Sequence, residues 1–373
     1  MNRKQFLMLV LALLVLGGAG AALFWQDIAA YRASGAKIGG KLLPDFKVAD
    51  VTQVKLQDAK NQTTLVLKDR GWTVEERGGY PAEFKAISDF ILKLLELKVT
   101  QSEAVGESLW PRVELAAPGK AAEGAGTLVE FKDKSGKVLA SLILGKKVLK
   151  KDPLNPLPGA QDGVPAGRYV RMSDARDNVI VVSDPLNAGD ATPGKWLDKT
   201  FVKIDRVKTL AVGPEGAANW KITRDEEWGQ WKFAGGGGEL NGSAAVSAVN
   251  ALSRVGFTDI AVKPEDAGKP TVVIAETFDN LTYTLKLVKA GENYRMKFSV
   301  AGEPPKARVP EKGEKPEDKE RREKEFAENR QRLVSRVELE KVLSNWTYLI
   351  QPSEVSALLK DRAELTAPKR PPK

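Results

Sequence analysis

The sequence contains no cysteine and no histidine. The missing thiol excludes disulfides, a thiolate nucleophile and a lipidated N-terminal cysteine. The missing imidazole excludes a Ser-His-Asp triad, and together the two absences exclude any His or Cys metal site. A chain of 373 residues can bury a core large enough to stand without disulfides, so the lack of cysteine is compatible with export. Charge of one sign is only modestly in excess, at +9 net, which suits acidic lipid headgroups or an anionic polymer but reads more plainly as a solvated basic surface. No basic tract calls for a nucleic-acid partner. A phosphate loop is also missing: Gly145-Lys146-Lys147 has neither the leading glycine spacing nor the following Ser or Thr, and reads as a strand end.

Long apolar runs are scarce, and the single one organises the rest. Residues 6–26, from Phe6 to Gln26, carry no charge, follow Arg3 and Lys4, and stop at Asp27. A bilayer core of about 30 Å needs about 20 apolar residues in a helix. Phe24 and Trp25 fall where an interfacial aromatic belt sits, and the basic residues ahead of the run hold the N-terminus on the cytoplasmic side. The expected reading is a signal anchor in the cytoplasmic membrane with the bulk of the chain extracytoplasmic. A cleaved signal peptide, with the small-residue pattern Ala19-Gly20-Ala21, and a buried helix are the competing readings.

Beyond the anchor the chain reads as α+β, an internally duplicated unit of antiparallel sheet plus one covering helix. Strands are expected over residues 51–56, 63–67 and 72–75, then a helix opened by Pro81 with the stripe Phe84, Ile87, Phe90, Ile91, Leu94 and Leu95. A hairpin over 127–131 and 138–144 follows, with further strands at 168–172 and 179–182. The pattern recurs as strands over 207–212, 219–223 and 230–233, a helix over 243–255 with the stripe Val246, Val249, Leu252 and Val255, and a hairpin over 271–275 and 281–287. Trp72 and Trp231 stand equally far ahead of Ile87 and Val246, and of Phe90 and Val249. The expected domains are an anchor (1–26), a juxtamembrane stalk (27–47), a first repeat (48–205) and a second repeat (206–300). A charged insertion (301–336) follows, with the period Phe326, Leu333, Val337 and Val342. A strand and helix (337–365) complete the second repeat, ahead of a disordered tail (366–373).

Four groups of residues are candidates for chemistry. Trp220, Trp228 and Trp231 beside the glycines 235–238 suit stacking on a sugar or peptide; the plainer reading makes Trp220 and Trp231 strand core and Trp228 a hairpin cap. Glu75-Glu76 and Asp225-Glu226-Glu227 are acidic groups that could supply the two carboxylates a glycosidase uses, but neighbours on a strand face opposite ways, so solvated turns are expected. Asp177, Asp184, Asp190 and Asp198 lack the spacing of a calcium loop. Arg171 and Arg295 recur after a tyrosine in the two halves and suit an anion; the plainer reading makes them surface arginines on edge strands. None of these is read as a catalytic, cofactor or metal site, and the ligand-binding residues are left unassigned.

The anchor, the strand ending Gly71-Trp72-Thr73-Val74, Tyr80-Pro81-Ala82 before the helix, the Tyr169-Val170-Arg171 strand and Trp196-Leu197-Asp198-Lys199 resemble the domain-of-unknown-function 4340 family, over most of residues 48–350. The resemblance implies a bacterial envelope protein without established enzymatic activity. Such proteins are often encoded beside an ABC-type export system that has a gliding-motility-like auxiliary subunit. It therefore implies a non-enzymatic accessory or scaffold protein whose partners are membrane proteins of an ABC transporter complex. It brings no functional residues and no cofactor. An extracytoplasmic peptide- or glycan-binding module is the alternative, and an envelope hydrolase using carboxylates is the third reading.

Overall fold

The computed structural model describes residues 38–119, 123–150, 163–173, 178–262, 268–310 and 314–368. Strand outweighs helix, 37% against 24%, and the strands form two antiparallel sheets. The chain divides into two compact units, Met1–Thr73 with Ala82–Trp196, and Val74–Pro81 with Leu197–Lys373. The apolar run 6–26 lies outside the described residues, and among the described residues no helix is long and apolar enough to cross a membrane.

The first sheet comprises β1 (Gln53–Gln57), β2 (Gln62–Lys68), β3 (Gly71–Val74), β4 (Tyr80–Pro81), β5 (Val99–Ala104), β6 (Thr127–Lys132), β7 (Val138–Lys150), β8 (Val164–Met172) and β9 (Asn178–Val182), in the order β4-β3-β2-β1-β6-β7-β8-β9-β5. Helix α1 (Phe84–Glu96) buries Ile87, Phe90, Ile91 and Leu94, and Phe90 meets the rings of Phe131 and Trp196. Two expectations for this helix are corrected. Pro81 does not open it: Pro81 ends the edge strand β4, a place where its missing N–H costs nothing, and the N-cap is Glu83, whose carboxylate accepts from Lys85 N. Phe84, at the helix's first position, is 67% exposed and lies outside the buried stripe.

A segment between β5 and β6 covers part of the opposite sheet face with Trp110 and Leu115, which pack on Ile143 and Val179. This explains why Gly145-Lys146-Lys147 is not a strand end. β7 runs on to Lys150, and a Cβ at Gly145 would collide with the carbonyl of Val113 and the side chain of Leu115. The described end of the expected stalk belongs to the same unit: Gly39 N donates to Val99 O, Leu42 N to Leu97 O, and Leu42 and Leu43 are buried.

The second sheet comprises β10 (Val207–Pro214), β11 (Trp220–Thr223), β12 (Lys232–Phe233), β13 (Asp259–Ile260), β14 (Thr271–Thr277), β15 (Leu281–Ala290), β16 (Asn293–Gly302) and β17 (Tyr348–Ile350), in the order β12-β11-β10-β14-β15-β16-β17-β13. Taking β10, β11 and β12 as counterparts of β1, β2 and β3, and β13 to β17 as counterparts of β5 to β9, the two orders coincide apart from β4. Helix α2 (Gly242–Arg254) occupies the place of α1, with Asn241 as N-cap accepting from Ser243 N and Ala244 N. Helix α3 (Pro316–Leu343) stands between β16 and β17, and α4 (Pro352–Val355) follows.

The stripe expected for α2 is also corrected. The buried residues are Ala244, Ala245, Ala248 and Leu252, while Val246 is 47% exposed and Val249 half-buried. Matching the N-caps Glu83 and Asn241 pairs Ile87 with Ala245 and Phe90 with Ala248, one residue out of the register that the tryptophans suggested. One residue on a helix is 100° of rotation, so the valines turn off the sheet. On α3 only Val337 of the expected period is buried; it is joined by Glu340 and Leu343 at helical spacing, and Val342 faces outward.

An aromatic core anchors the second unit. Tyr80 meets Phe257, Trp346 and Tyr348 edge-on at 5.0–6.1 Å, and Phe201 lies 4.4 Å from Tyr348. Beside it Arg77 grips Asp259 with two hydrogen bonds of 2.6 and 2.8 Å.

Candidate binding groove in the second unit

The valines of α2 that turn away from the sheet form one wall of a groove of about 270 Å³. The opposite wall is the β11–β12 hairpin with Arg224, Glu227, Trp228 and Trp231, and the segment 204–207 closes one end. Arg206 adopts a left-handed backbone conformation, φ 52°, in which few non-glycine residues rest. From there its guanidinium forks onto Glu227, at 2.9 Å to each oxygen, and also bonds Asp279. The fork holds the Glu227 carboxyl below the usual carboxylate range, whereas burial pushes the Asp279 carboxyl up despite Arg206.

Arg224 is tied to the carbonyl of Val207 at 2.8 Å and its guanidinium lies 4.8 Å from the Trp231 ring. Burial lowers its pKa, while Glu227 opposes the shift. Behind the groove, Asp205 pairs with Arg336 of α3 at 3.7 Å, and Arg336 reaches Glu340 at 3.5 Å. Glu340, 2% exposed, accepts a 2.8 Å hydrogen bond from the Tyr283 hydroxyl. Burial pushes its carboxyl up, and the Tyr283 and Arg336 interactions only partly oppose this.

The three tryptophans therefore divide. Trp220 is core and donates to the carbonyl of Lys360 at 2.8 Å. Trp231 is half-buried under Arg224. Trp228 caps nothing: it is 92% exposed, because the turn 225–229 is held by the Arg206 fork on Glu227 and by Lys232 on Asp225 rather than by the indole. The glycines 235–238 all take positive φ and are pinned by Arg362, which donates to the carbonyls of Gly236 and Gly237; none of them lines the groove.

The other candidates are dispersed. Glu75 and Glu76 lie in a single helical turn. Asp184, Asp190 and Asp198 each accept the N–H two residues on, and Asp177 is outside the described residues. Among the described residues no group of acidic side chains could hold a metal ion. The two arginines are not on edge strands, since β9 and β5 lie beyond β8 and β17 and β13 beyond β16. Arg171 is 7% exposed, 3.8 Å over the Trp110 ring.

Reasoning from sequence singled out the aromatic rim and, among its candidate carboxylates, Glu227, and missed the rest. Val246 and Val249 carry the ordinary signal of core residues, and nothing local marks Arg206 as the clamp. No protein-family model, no curated protein and no solved structure matches the chain.

Proposed function

We propose that this is a non-enzymatic accessory or scaffold protein tethered to the bacterial cytoplasmic membrane through residues 6–26. In this reading its units stand on the extracytoplasmic side and engage membrane-protein partners of an ABC-type transport system of the gliding-motility-auxiliary kind. The resemblance to the domain-of-unknown-function 4340 family supports the partner class. The coincident strand orders support an internal duplication of one sheet-and-helix unit. The observation that carries the reading is the groove: a solvent-facing indole above two half-exposed valines, on a rim whose charges already neutralise one another. Such a surface gains by covering an apolar partner group and asks for no charged one. Tethering supplies effective concentration, so a weak contact suffices.

The test is retention of partners by the full-length protein from mildly solubilised native membranes, identified by mass spectrometry. A variant lacking residues 1–26 and a Trp228→Ala variant run beside it. Permease and auxiliary subunits that depend on both features support the proposal, and recovery of no membrane partner ends it. The Trp and Arg lining also favours a second reading, a peptide- or glycan-binding module. Under it the isolated groove binds such ligands without any membrane partner.

A further inference from the structure

The first unit carries a second hollow with different electrostatics, about 230 Å³ in volume, near the outer end of its sheet. Val179 and Val181 of β9 form its floor, flanked by Glu103 and Gln101 on β5 and by Tyr169 on β8, all set by strand register. The wall is the segment after β5, contributing Val105, Leu109 and Arg112. That wall is fixed in place: the Trp110 indole donates to the carbonyl of Val105 at 3.0 Å, and Trp110 is buried against the sheet. At the hollow's margin Glu103 and Arg112 are exposed, and among the described residues neither side chain makes a hydrogen bond or ion pair.

The groove of the second unit has spent its charges on itself; this hollow has kept one of each sign beside an aliphatic floor. We propose that it binds a small apolar amino acid or short apolar peptide. Arg112 takes the carboxylate, Glu103 takes the ammonium, and the valine-lined interior takes the side chain. The volume, below the few hundred Å³ of a drug-sized pocket, limits the guest to about one side chain. A guanidinium matches a carboxylate in two parallel bonds, which makes Arg112 the orienting group. The site lies within the first unit and does not depend on the accessory reading.

The experiment is titration calorimetry of the full chain in detergent with L-leucine, L-phenylalanine and the dipeptide Leu-Leu, against N-acetyl-leucine and leucine amide. The expected result is saturable binding of at least one zwitterion, weakened about tenfold or more by blocking either terminus. Arg112→Gln should weaken the zwitterion to a similar degree and leave leucine amide unchanged. Preference for leucine over Leu-Leu identifies a free amino acid as the source, and the reverse identifies a peptide. Absence of saturable binding by all three probes, or equal binding of the blocked forms, overturns the proposal. The blocked ligands decide the matter on the unaltered protein, so a poorly folding variant does not obscure it.

Discussion

The indole of Trp228 stands in water and touches no structural duty, whereas the carboxyl of Glu340 is sealed beneath α3 against Tyr283. These two residues call for opposite experiments. Trp228→Ala should leave the unfolding free energy within about 0.5 kcal/mol of the parent, since surface substitutions away from special features are nearly neutral. Under the proposed accessory role the same variant should also lose membrane partners that the parent retains, a separation that denaturant melts and pull-downs read independently. For Glu340 the sign follows from its raised folded-state pKa. Between the unfolded carboxyl value and the folded one, the native state holds a proton that the unfolded state has released, so stability falls as pH rises through that window. Denaturation midpoints of the parent should therefore drop on going from mildly acidic to neutral pH, and those of Glu340→Gln should drop less. Equal slopes would remove Glu340 from the account. Neither role was readable from the residue alone: an exposed Trp and a buried Glu are both departures from composition rules, visible only once their neighbours are fixed.

Among the elements, α1 and α2 show how far periodicity carries. Both helices were legible, as were the hairpins that follow them, because alternation at two and recurrence at three to four residues report which backbone buries one face. The face itself was legible only in α1, where Ile87, Phe90, Ile91 and Leu94 of the expected stripe are the buried residues and Phe84, at the helix start, stands exposed. In α2 alanines face the sheet and the valines line the groove, an arrangement that a hydrophobicity scale reverses. The consequence is measurable. Ala248→Leu should destabilise by about 1–3 kcal/mol through overpacking, while Val246→Ser should be close to neutral. A larger loss at Val246 than at Ala248 would restore the stripe read from sequence. Loss of the Asn241 cap by Asn241→Ala should cost about 1 kcal/mol, seen in the same denaturant series. The start of α1 was misread for a different reason: a proline at the head of an apolar stripe signals a helix start equally well when it ends an edge strand.

At the scale of the whole molecule, the repeated strand order was foreshadowed by the recurring pattern of strands, helix and hairpin. What no pattern revealed is that Val74–Pro81, inside the first half of the sequence, belongs with the second unit. Its Tyr80 is fully buried among Phe257, Trp346 and Tyr348, residues far along the chain that share no motif with it. Tyr80→Ala should thus weaken the second unit by about 3–5 kcal/mol, the range for deleting a large buried aromatic. A fragment beginning at Leu197 should fail to give the dispersed amide spectrum of a folded domain, and a folded fragment would show the loan to be dispensable. Synthesis runs from the N-terminus, so Tyr80 leaves the ribosome long before Tyr348 exists to receive it. The eight residues from Val74 to Pro81 must wait, their apolar ring uncovered, while some two hundred and seventy further residues are made. A nascent chain in that state offers a binding stretch to chaperones and proteases, and the second half cannot be finished on the schedule of its own sequence.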